Sequence, residues 1–126
     1  EVSTIAAAVL LDGEGRILHT VVDELETQVS AAEGSLTLPD DLRTKRQKGD
    51  GDYPLAAVSE IGKGWADQAD ALAKHLEGMT ASEVAALKTD DEGRAADPDL
   101  LAGCTIRIDG YRDAIAKACR EAKPIG

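Results

Sequence analysis

The residues of this chain best suited to chemistry lie in its last quarter. There Ala102-Gly103-Cys104-Thr105 makes a turn of small residues, Ile106 and Arg107 follow, and a helix begins. Small residues let a backbone approach another backbone or a ligand closely. A thiol just ahead of a helix, as at Cys104, sits where a thiolate is favoured. Arg107 is the basic residue close to it, and its guanidinium offers a fork for a phosphate or carboxylate. The competing reading is packing. Cys119 falls on the apolar stripe of the last helix, where a free cysteine behaves as a small hydrophobe, and Cys104 also reads first as a core residue.

A second candidate lies in the polar middle of the chain, from Pro39 to Pro54. Thr44, Lys45 and Tyr53, with Ser59 and Lys63 beyond, could hold a phosphate or carboxylate, although a lysine-bearing loop is more commonly a solvated face. His19 and His75 have no second histidine or cysteine at zinc-ligand spacing. Asp12-Gly-Glu-Gly and Asp90-Asp-Glu-Gly lack the register of a calcium loop and read as solvated turns, so no metal site is expected. There is no Gly-x-Ser-x-Gly elbow, and no acid–base or nucleophile constellation that would make the chain an enzyme in its own right.

These candidates need a scaffold. Thr4 to Leu11 is nearly continuous apolar sequence and predicts a strand buried on both faces. Asp12 to Gly15 is a turn, and Arg16 to Asp23 returns as a hairpin strand whose extended character continues through Leu25, Thr27 and Val29. A further turn at Glu33-Gly34 precedes Leu36 and Leu38. Pro39 to Pro54 reads as a long surface loop. Trp65, Ala69, Leu72 and Leu76 predict an amphipathic helix over 65–77, ending at Gly78. Thr80 and Glu83 form a capping box for a short helix over 81–87. Asp97-Pro98-Asp99 starts one more helical turn, and Tyr111, Ala114, Ile115, Ala118, Cys119 and Ala122 mark the last helix. The expected fold is α+β: an antiparallel sheet of three to four strands in the N-terminal half, packed with three or four helices in the C-terminal half.

At 126 residues the chain is one domain, residues 1–126. Its net charge of −10 makes nucleic acid an improbable partner and an anionic membrane surface a poor one. There is no Phe, and Tyr53, Trp65 and Tyr111 are the only aromatic residues. No run reaches the roughly 18 apolar residues of a membrane span. Two cysteines are too few for a disulfide framework. The chain opens at Glu1 rather than Met, as a processed protein or a piece of a longer one would.

Several segments carry a resemblance that spans nearly everything from Ser3 to Ala122. They are the early strand pair, a Gln28-centred segment, Thr44-Lys45 with Gly49-Asp50 and Tyr53, Ile61-Gly62-Lys63 with Trp65 and Gln68, Gly78-Met79-Thr80 with Glu83-Val84, and Leu101 to Ile106. Together they resemble the small FMN-binding-domain-like proteins of clostridia and related Gram-positive bacteria. The wider family carries Ser-Gly-Ala-Thr-x-Ser/Thr before its final helix, and in many members the last hydroxyl takes FMN through a phosphoester. Ala102 to Arg107 correspond: Gly103 and Thr105 match, Ala102 and Cys104 are small substitutes, and Arg107 stands where the flavin-accepting hydroxyl would be. The resemblance therefore implies non-covalent binding of FMN or another small anionic ligand by Gly103, Cys104, Thr105 and Arg107, with no covalent flavin. It also implies an extracellular or cell-surface location behind a secretory or lipoprotein-type leader. The alternative is a cofactor-free structural or partner-binding domain at the cell surface.

Overall fold

The computed structural model describes residues 2–27, 30–32, 34–37 and 41–125. Strands β1 (Val2–Leu11) and β2 (Ile17–Thr27) form an antiparallel ribbon, with Ile5 opposite Glu24 and Val9 opposite Thr20. The register slips by one residue between Leu10 and Leu11. Asp12 shapes the turn by accepting hydrogen bonds from the amides of Glu14 (2.8 Å) and Arg16 (2.9 Å). Gly15 takes the positive φ of +78° that the turn demands.

The expected single sheet of three to four strands is corrected here. β3 (Ser30–Ala32) and β4 (Ser35–Thr37) pair only with each other, so the described residues make two separate two-stranded sheets. Extended structure at Val29 and Leu38, the Gln28 segment and residue Glu33 of the second turn lie outside the described residues, as do Pro39 and Asp40.

The polar middle is not simply a loop. Its segment from Lys45 to Asp52 is helix α1, interrupted at Gly49, where φ is +62°. Thr44 and Gln47 form a capping box: the Gln47 amide donates to the Thr44 hydroxyl (3.2 Å), and the Thr44 amide donates to the Gln47 side chain (2.9 Å). After a 3-10 turn (Leu55–Ala57) come α2 (Trp65–His75), α3 (Ala81–Ala85), α4 (Pro98–Leu101) and α5 (Asp109–Glu121). The described helices thus number five rather than three or four, and they begin in the middle of the chain. α2 and α3 each stop two residues short of the expected ends at 77 and 87.

α5 lies on one face of the ribbon and α2 runs beside β2. Gly110 permits the first contact, since a Cβ there would stand 2.8 Å from Ile5 Cδ1. The second is sealed by backbone: the Ile17 amide donates to Met79 carbonyl (2.9 Å) and the Gly78 amide to Ile17 carbonyl (2.8 Å). Between these layers Ile17, Val22, Trp65, Leu72, Leu76, Val84, Ile108 and Ile115 are buried. Only one face of β1 takes part. Ile5, Ala7, Val9 and Leu11 are half-buried, whereas Thr4, Ala6, Ala8 and Leu10 are exposed. The expectation of a strand covered on both faces fails because helices pack on one side of the ribbon only. No helix among the described residues is long and apolar enough to cross a membrane.

Ile115→Ala should cost about 2–5 kcal/mol in urea denaturation, because its site is closed on all sides. Val21→Ala, on the exposed face of β2, should change stability by no more than about 0.5 kcal/mol.

Candidate functional site

A cavity of about 500 Å³ opens where the free end of the ribbon meets α1 and the start of α5. Strand alternation puts Glu24 and Glu26 on the inner face of β2, opposite Ile5 and Ser3. The capping box of α1 sets Lys45 at the first helical position, above those carboxylates. The two sequence candidates meet here: Lys45 and Tyr53 from the polar middle share the cavity wall with Arg107 from the small-residue turn.

At its floor is a buried polar network. Lys45 Nζ stands 2.5 Å from Glu24 Oε1 and 3.3 Å from Glu26 Oε2. The Tyr111 hydroxyl donates to Glu24 Oε1 (2.6 Å), and the Ser3 hydroxyl donates to Oε2 (2.5 Å). Trp65 Nε1 donates in turn to the Tyr111 oxygen (3.3 Å), the two rings meeting edge to face at 5.9 Å. Lys45 also lies 5.0 Å from the centre of the Tyr53 ring. Glu24 is 8% exposed and Lys45 9%.

Burial pushes the Glu24 carboxyl up, but the hydrogen bonds from Lys45, Ser3 and Tyr111 outweigh it and hold the group below its ordinary value. Burial pulls the Lys45 amine down, but Glu24, Tyr111 and Tyr53 together more than reverse this, so the ammonium is strongly retained. Burial and the Glu24 carboxylate both push the Tyr111 phenol up. A carboxylate saturated by three donors and a lysine held protonated are poor bases and nucleophiles. The network is therefore a charged floor suited to positioning and binding.

Arg107 is placed differently. Its Nε and Nη2 donate to the two carboxylate oxygens of Asp109, each at 2.9 Å, while the side chain is 72% exposed. A guanidinium carries five N–H donors, so donors remain for a ligand at the cavity mouth.

The rest of the small-residue turn faces away. The Thr105 amide (2.9 Å) and hydroxyl (3.3 Å) both donate to Gln68 Oε1, and Gln68 is fully buried in α2. Gln68 Nε2 completes the latch by donating to Ser59 Oγ (3.0 Å) and the Lys63 carbonyl (2.9 Å). Gly103 lies against α2, where a Cβ would stand 3.2 Å from that of Ala71. Cys104 is buried and its thiol is pushed up to about 11 by that burial. Cys119 is buried as well, and both cysteines are free. Of the four turn candidates only Arg107 reaches the cavity, and of the loop candidates Thr44 serves as the cap of α1.

The remaining sequence candidates have local duties. Asp90 repeats the Asp12 arrangement, accepting from the amides of Glu92 and Arg94. His19 is exposed on the outer face of β2, and His75 lies 3.7 Å from Asp97. Glu24, the centre of the network, was not singled out from sequence. The available signal was parity, since a carboxylate two residues from Val22 and four from Thr20 shares their inward face. No family model, no curated protein and no solved structure matches this chain.

Two outcomes follow from the network. Lys45→Met leaves the Glu24 charge buried without its cation and should cost about 3–5 kcal/mol in denaturant unfolding, with part of the loss recovered in Lys45→Met/Glu24→Gln. Because the folded-state value of Glu24 lies below the unfolded one, its contribution is present above 4.5 and is lost as pH falls through the folded value. Stability measured below 4.5 should therefore decline less steeply in Glu24→Gln than in the parent chain.

Proposed function

We propose that this chain is a non-enzymatic ligand-binding domain whose site is the cavity between the ribbon, α1 and α5. The ligand to test first is FMN, held without a covalent bond. The observation that carries the reading is that Lys45, Tyr53 and Arg107, drawn from segments more than fifty residues apart, line one cavity. In this reading the free donors of Arg107 take the anionic group at the mouth, and Tyr53 offers the ring system an aromatic edge. Thr105 and Cys104 hold the turn against α2 and make no ligand contact. An extracellular or cell-surface location belongs to the same proposal and rests on the family resemblance alone.

A second reading, a cofactor-free partner-binding domain, is favoured by the charge inside the cavity. Lys45 is matched by Glu24 and Glu26, and Arg107 by Asp109, so an incoming anion meets no unmatched cation.

Titration of FMN with the purified chain, followed by flavin fluorescence, separates the two. Quenching that saturates, and that weakens roughly tenfold or more in Arg107→Ala, is the expected result. Flavin fluorescence unchanged at high protein concentration would end the flavin reading and leave the second.

A further inference from the structure

Among the described residues β1 is hydrogen-bonded to another strand on one edge only. Its sole strand neighbour among them is β2, so the other edge of a ten-residue strand has no strand partner. Nothing in Val2–Leu11 guards that edge, which carries neither charge nor proline. Natural edge strands are usually blunted by such residues.

Alongside the edge runs a groove of about 830 Å³. One wall is residues 7–11 of β1 with Asp12 at its end, and the other is built from Ala118 and Cys119 of α5 with Ala122, Lys123, Pro124 and Ile125 beyond it. Successive strand residues point to opposite faces, so five in a row border one groove only along the strand's edge. The groove lies where another strand would add.

We infer that this edge is an interface between two copies of the chain, with β1 pairing antiparallel to its two-fold mate in a continuous four-stranded sheet. A two-fold contact brings a segment against itself. In a chain of net charge −10 most surfaces would then oppose like charges, whereas β1 against β1 opposes none. The contact centres on residues 7–11, apart from Ser3 and Ile5 at the cavity, and does not depend on the ligand reading.

Sedimentation velocity of the 126-residue chain, from low micromolar to several hundred micromolar, tests the proposal. A dimer is expected, tightening as added salt screens the repulsion between two acidic copies. Ala8→Lys/Leu10→Lys, both at exposed positions, should weaken it roughly tenfold or more with an unchanged circular dichroism spectrum. Val58→Lys, on a different surface, should leave it intact. In the unmodified chain, β1 amides should exchange more slowly as concentration rises. A monomer at every concentration, a dimer indifferent to the double substitution, or β1 exchange independent of concentration would overturn the inference. A dimer broken equally by Val21→Lys, on the outer face of β2, would overturn the edge geometry.

Discussion

A carboxylate on the inner face of a two-stranded ribbon sets the terms for much of this molecule. Glu24 stands in line with Val22 and Thr20, and its charge is sustainable there only if donors surround it. Lys45, Ser3 and Tyr111 are those donors, and they come from α1, β1 and α5. One buried charge therefore ties α1 to the ribbon and to α5. α1 depends on it most, because its eight residues KRQKGDGD include no apolar side chain. Its hold on the domain is polar, through Lys45 to Glu24 and through Arg46 to the Val22 carbonyl and Asp70.

The same network shapes the cavity above it. Neutralising Glu24 consumes Lys45, and Glu26 leans on the same ammonium, so the floor holds one cation against two carboxylates. The freer group is Arg107 at the mouth, whose fork is half engaged by Asp109. Geometry thus gathers the residues that a small ligand would need, while the lining holds one more carboxylate than cation and leaves the free donors of Arg107 as its hold on an anion. These opposing tendencies explain why a ligand-binding and a partner-binding reading both remain physically coherent.

Much of the local structure was legible. The apolar run of Thr4 to Leu11, the Asp12 turn, the spacing of Trp65, Ala69, Leu72 and Leu76, the Thr80 capping box and the Tyr111 stripe each mark an element that is present. α1 was missed because apolar periodicity is silent for a wholly polar helix. Its one local signal was the Thr44-x-x-Gln47 box, weakened by two following glycines. The site was half legible. Lys45, Tyr53 and Arg107 line the cavity, whereas Thr105 donates to Gln68 of α2 and Cys104 is buried away from the cavity wall.

The sequence by itself determined the α+β class, the elements with a strong apolar period or cap, and the acidity that governs the whole surface. Those are short-range properties, written in neighbours a few residues apart. Tertiary structure alone decided that the strands divide into two ribbons, that one face of β1 stays bare, and that Glu24 meets Lys45 and Tyr111. It also decided that Thr105 turns toward Gln68 and Arg107 toward the cavity. Each of these depends on which surfaces meet across tens of residues, and a buried charge or hydroxyl takes its role from the partner it finds there.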